Sequence, residues 1–102
     1  MKPSRSYREG LIQDLKDPKE ALRYLNAALE EDDRSVFLLC LRDVAEAQGG
    51  MMKVARLAGL NRENLYRMLS RQGNPEFYGL GHLINAMGFK LRLDFRHQQR
   101  VH

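Results

Sequence analysis

The chain has 102 residues, 43% of them hydrophobic and 29% charged, with a net charge of +4, a size and mix that suit one small domain around one core. Its single cysteine, Cys40, sits in the apolar run Phe37 to Leu41. It can form no internal disulfide, and a small core hydrophobe is the expected role. The sequence shows no leader segment and no apolar run of membrane-spanning length, which points to a cytoplasmic protein.

Residues 1–16 are polar and basic, with Tyr7, Leu11, Ile12 and Leu15 as apolar anchors. They read as a partly flexible start that becomes a short docking segment. Asp17-Pro18-Lys19-Glu20 is a helix start. Asp17 caps, Pro18 suits the first helical position, and Glu20 completes a capping box. Ala21, Leu22, Leu25, Ala28 and Leu29 then fall on one helical face. The acidic run Glu30 to Asp33 ends this helix and caps the next. Val36 to Ala47 is apolar except for Arg42, Asp43 and Glu46. A helix apolar on most sides belongs at the centre of a bundle.

Gly49-Gly50 stops that helix. Met51 to Ala58 follows, with Val54, Ala55, Leu57 and Ala58 directed inward. A tight turn is expected at Ala58-Gly59-Leu60-Asn61, with Gly59 left-handed and Asn61 capping. The next helix opens Arg62-Glu63-Asn64 and runs through Arg67 and Arg71 to Gly73-Asn74-Pro75. Two short helices joined this way are the layout of a helix-turn-helix, whose second helix enters the DNA major groove. The charge agrees. Residues 17–33 hold six acids and two bases, whereas residues 49–73 hold five bases (Lys53, Arg56, Arg62, Arg67, Arg71) and one acid, Glu63. The basic excess is concentrated where DNA would lie.

Leu80, Leu83, Ile84 and Met87 mark a last helix, closed by Gly88. Lys90 to Phe95 then alternates polar and apolar residues, which predicts a β-strand. An isolated strand needs a partner, either across a dimer, on another protein, or in the chain's own segment around Tyr7 to Leu11. Residues 96–102 read as a polar tail.

The stretches LKDPKEALRYLNAALEEDD, FLLCLRDVAEAQGGMMKVARLAGLNRENLYRMLSRQGNP and LINAMGFKLRL resemble the antidote proteins of bacterial type II addiction modules. Most similar is the HigA-like group with a Cro/repressor-type (XRE) helix-turn-helix. The resemblance covers about Arg8 to Phe95. It implies a lambda-repressor-like DNA-binding domain over residues 17–95, with the motif at about 51–72. The expected fold is all-α, five helices with a C-terminal β-strand. It also implies an antitoxin that binds operator DNA, represses its own operon and neutralises a RelE/HigB-like ribonuclease toxin. One departure is the stretch Glu76-Phe77-Tyr78-Gly79-Leu80-Gly81, where family members have a Ser/Thr-capped helix start.

Aligned on the Gly59 turn, the base-reading positions of Cro-type repressors fall on Arg62, Glu63 and Arg67. Arginine can meet guanine with two donors, and glutamate can accept from cytosine or simply favour the helix N-terminus. Asn64 can pair with adenine. Asn61 is first a cap and second a phosphate contact. Lys53, Arg56 and Arg71 are phosphate candidates. Such domains pair on two half-sites, so a homodimer is expected, with Leu91, Arg92, Leu93 and Phe95 as its interface or that of the toxin. No metal spacing joins His82, His97 or His102 to Cys40. No phosphate loop or nucleophile elbow is present, so neither a cofactor nor an enzyme is expected. Two alternatives are a stand-alone phage-type regulator without a toxin, and an interaction module that has lost DNA binding.

Overall fold

Residues 6–96 are described in the computed structural model of the chain. Six helices follow one another: α1 (Tyr7–Asp14), α2 (Pro18–Glu30), α3 (Arg34–Ala47), α4 (Met51–Ala58), α5 (Arg62–Met68) and α6 (Phe77–Ala86). The described residues are thus all-α, as expected. The five-helix count and the C-terminal strand are both corrected.

The extra helix is α1. Ser6 Oγ accepts from the Glu9 backbone N–H at 3.0 Å, and Glu9 Oε1 accepts from the Ser6 N–H at 3.2 Å. That reciprocal pair is a capping box, written in the sequence as Ser6-Tyr7-Arg8-Glu9. It also removes the candidate strand partner, because the Tyr7 to Leu11 backbone is committed to helical bonds. Residues 91–96 accordingly form no strand. An alternating pattern supplies side chains for two faces, but a strand also needs a backbone ladder. Among the described residues none is offered.

Local chemistry explains the other ends. Asp17 caps α2 by accepting from the Lys19 N–H at 2.9 Å, with Pro18 in the first turn. Glu20 does not close a box with it but pairs with Arg23. Asp33 caps α3 by accepting from the Ser35 N–H at 3.0 Å, and the Ser35 hydroxyl donates to the same oxygen at 2.9 Å; the hydroxyl first and the N–H second draw its carboxyl below the usual carboxylate range. α6 starts without a side-chain cap at Glu76.

α3 is the centre. Phe37, Leu38, Leu41, Val44, Ala45 and Ala47 are buried on it. α2 lies along it through Ala21, Leu25 and Ala28, and α1 and α4 pack on other sides. Leu22 and Leu29, expected on the inward face of α2, stay about half exposed. Leu65 and Leu69 from the α5 region and Leu83 and Ile84 from α6 close the core. Cys40 packs against it only partly buried, and burial pushes its thiol up from the usual value.

One buried charge crosses this core. Asp43 on α3 is 4% exposed. Tyr24 on α2 donates its hydroxyl to Asp43 Oδ2 at 2.6 Å. Arg8 on α1 places Nη1 3.0 Å from Asp43 Oδ1, and also pairs with Glu46. Oδ1 receives no aligned hydrogen bond, so Arg8 supplies charge there rather than a directed contact. Three helices are thereby tied to one carboxylate. A buried carboxylate that loses a partner is strongly penalised.

Two outcomes follow. Tyr24→Phe should lower unfolding stability by about 1.5–3 kcal/mol, seen as a lower urea midpoint with an unchanged slope. The Tyr24 phenol is also raised above its ordinary value, first by burial and then by its bond to Asp43. Its contribution is therefore complete below the unfolded tyrosine pKa, about 10. It is lost as pH climbs above that value, because only the unfolded chain then ionises there. Urea titrations at rising alkaline pH should show that loss in the wild type and a shallower one in Tyr24→Phe.

Candidate nucleic-acid interface

The turn between α4 and α5 is built from backbone bonds. Gly59 sits at φ 70°, in the left-handed region. Its N–H donates to Arg56 O at 3.2 Å, and the Leu60 N–H donates to Ala55 O at 2.8 Å. This pair satisfies two of the carbonyls that a helix leaves open at its end. Asn61 Oδ1 then accepts from the Asn64 N–H at 2.8 Å and starts α5. Ala55 and Ala58, both buried, allow the two helices to cross closely.

One further contact holds the turn, and a second fixes the helix it comes from. His82 on α6 donates Nε2–H to Ala58 O at 2.9 Å. The ring is therefore protonated on Nε2, and α6 is fastened to the last carbonyl of α4. Gln48 Nε2 donates to Met87 O at 2.9 Å and joins the ends of α3 and α6. His82 was read from the sequence only as a residue without metal partners. A single histidine gives no local signal that it will close a helix end 24 residues away.

Gly73 supports α5 from the other side. It is buried against the end of that helix. A Cβ there would overlap the Met68 carbonyl oxygen and stand 3.0 Å from that of Arg67.

α5 turns Leu65 to the core and presents Arg62, Glu63, Tyr66 and Arg67 outward. Asn64 is half-buried, and its Oδ1 accepts from Arg67 Nη1 at 3.1 Å. Asn61, Asn64 and Arg67 thus form one hydrogen-bonded series along the helix. Lys53 and Arg56 are exposed on α4. Arg71 is exposed but lies beyond α5, which ends at Met68, earlier than the sequence spacing predicts. Leu57, expected inside, is 58% exposed.

Tyr66 was not among the predicted site residues. It is one helical turn from Arg62, and the Arg42 guanidinium of α3 lies 5.1 Å from its ring centroid. The cation is attracted to the ring face, and the contact ties Tyr66 to α3. The available signal was position: an exposed aromatic between two arginines on one helical face. His97 and His102 lie outside the described residues, as do residues 1–5 of the N-terminal segment and all of the tail but Arg96. No helix among the described residues is long and apolar enough to cross a membrane.

A small all-helical domain with a basic two-helix face is the class that fold and site define. Residues 10–95 match the model of a family described as "Probable addiction module antidote protein". An uncharacterised protein of Haemophilus influenzae (strain Rd) is 39% identical over 89 residues, covering 87% of this chain and 87% of that protein. No solved structure matches the chain. The chain belongs to the addiction module antidote family. An antidote answers a toxin, so membership implies a toxin–antidote role with a cognate toxin as partner.

The two glycines beside α5 separate by cost. Gly59→Ala places a side chain at φ 70° in open space, a strain of about 1–2 kcal/mol. Gly73→Ala must displace backbone oxygens at the end of α5 and should destabilise more. Thermal unfolding of both variants checks this ordering.

Proposed function

We propose that this protein is a HigA-like antitoxin that binds operator DNA through a Cro/repressor-type helix-turn-helix and represses its own operon. The DNA-binding domain spans residues 17–95, with the motif at about 51–72 and α1 packed onto it. α5 enters the major groove. The observation that carries the reading is the outward face of α5, where Arg62, Glu63, Tyr66 and Arg67 stand clear of the core, with Lys53 and Arg56 exposed on the preceding helix.

The division of labour follows from geometry. Arg62 and Arg67 each offer two parallel donors to guanine O6 and N7. Asn64 holds Arg67 through one guanidinium N–H, which leaves the remaining donors to bases and presets the arginine's direction. Asn64 therefore acts first on Arg67 and meets adenine only if that bond opens. Glu63 accepts from a cytosine amino group or favours the helix start. Lys53, Arg56 and Arg71, with Asn61 behind its capping role, contact phosphates and fix the register of the protein on the duplex.

Two copies bind two half-sites about 34 Å apart, because one such helix covers too few base pairs to define a site. The toxin is a RelE/HigB-like ribonuclease, and the pair acts in the cytoplasm. Family membership supports the toxin, and the basic face supports the operator.

The test is a gel-shift titration on operator and scrambled DNA. Arg62→Ala and Arg67→Ala should each lose about 1–3 kcal/mol on the operator and relax preference at one base pair. Lys53→Ala should weaken both DNAs alike and flatten the salt dependence. Equal small losses for all three variants on both DNAs would contradict base reading by α5. Footprinting should show an inverted repeat protected in two halves.

A further inference from the structure

We propose that a second copy of this chain covers an apolar groove between α2, α3 and α6 with its C-terminal arm, residues 92–96, and that two copies exchange arms. This deepens the dimer in the proposed function and rests on that dimer, but not on DNA.

The groove has a volume of about 500 Å³ and is walled by Leu29, Phe37, Phe77, Leu80 and Ile84. Leu29 and Phe77 are 52% and 65% exposed. Asp32 and Asp33 form its rim, and Glu30 and Glu31 precede them in the chain. Arg34 is the one base among the residues that line the groove and keeps its charge, so the run Glu30 to Arg34 holds four acids against one base. The groove is therefore apolar with an acidic edge.

The arm is its complement. Leu93 and Phe95 are each 97% exposed. Lys90, Arg92 and Arg96 stand against the single acid Asp94, whose carboxylate turns back to the Phe95 N–H at 2.9 Å. Alternation puts the apolar side chains on one side of the extended backbone and the bases on the other. With Leu93 and Phe95 against the apolar walls, Arg92 and Arg96 start from the outer side, and their long stems fold over the edge of the arm to bring the guanidinium groups to the acidic rim.

The geometry of a single copy leaves both halves open. Leu91 lines the groove's edge, yet the next apolar residues of the same arm turn to solvent rather than into it. At about 3.3 Å per residue, Leu93 stands within reach of its own groove and still leaves it empty. A two-fold exchange covers both exposed sets with one repeated contact: the arm of each copy meets the groove of the other.

The experiment uses the full chain without DNA. Sedimentation equilibrium should show a dimer. Leu93→Asp with Phe95→Asp should weaken it by at least tenfold. At concentrations where both proteins are monomeric its urea midpoint should match the wild type, since both side chains are outside the core; where the wild type is a dimer, the variant's midpoint should be lower. Asp32→Asn should weaken the dimer less and reduce its salt dependence. A photo-reactive phenylalanine at position 95, in a mixture of light and nitrogen-15-labelled chains, should cross-link to groove peptides of the opposite label. A monomeric wild type, a dimer indifferent to the arm variant, or cross-links confined to one chain would each overturn the proposal. So would an arm captured only by toxin. If the arm variant dissociates but still binds a single half-site, the DNA reading survives. If the dimer behaves as described and operator binding is absent, only the DNA reading fails.

Discussion

A left-handed backbone at Gly59 (φ 70°) is the constraint from which the arrangement of the second half of the molecule follows. It reverses the chain within three residues, lets the Leu60 N–H close on Ala55 O, and hands Asn61 to α5 as a cap. The direction of α5 is then set, and with it the outward course of Arg62 and Arg67. The turn does not stand alone. His82 grips its last α4 carbonyl from α6, and the turn after α5 is closed by a glycine so near the backbone that no side chain fits. A helix of seven residues is too short to be stable by itself. It holds its shape because Leu65 and Leu69 are sunk in the core and both of its ends are fixed from outside.

The first half of the molecule is organised differently. There a buried carboxylate, Asp43, draws α1, α2 and α3 together through Arg8 and Tyr24. Burying a charge is unfavourable, and such a group contributes specificity of arrangement more than net stability. Slipping α1 or α2 along α3 would leave Asp43 without its partner, which apolar contacts alone would tolerate. The two halves meet on α3, where Arg42 reaches over Tyr66. The scaffold thus holds the exposed face of α5 from the side as well as from below.

Much of this is legible in the residues, and the reasons divide cleanly. Helix ends were readable where one residue type has one physical use: Asp17 and Asn61 as caps, Gly59 as a left-handed stop, Gly88 as the end of α6. α1 was equally written, in Ser6 and Glu9, but its apolar residues are too sparse to show a helical period. The strand reading of residues 90–95 failed for another reason. Alternation reports where side chains would point in a strand, but a strand also needs a ladder, and residues 91–96 have no regular secondary structure. Leu57 showed the same limit, because an apolar residue at helical spacing need not face the core. Contacts between distant elements, such as His82 with Ala58 or Tyr24 with Asp43, leave no trace in local sequence. Of the candidate face, its arginines were visible and its tyrosine was not.

The proposed operator binding depends on the outward face of α5 meeting DNA. The most direct measurement is backbone chemical-shift mapping of the isotopically labelled full chain, titrated with duplex DNA from its own promoter at physiological salt. The predicted result is a set of shifts centred on residues 61–67 of α5 and its cap, extending to Lys53 and Arg56, while α1 and α2 stay unmoved. Shifts confined to α2 and α6, or none with promoter DNA, would contradict it.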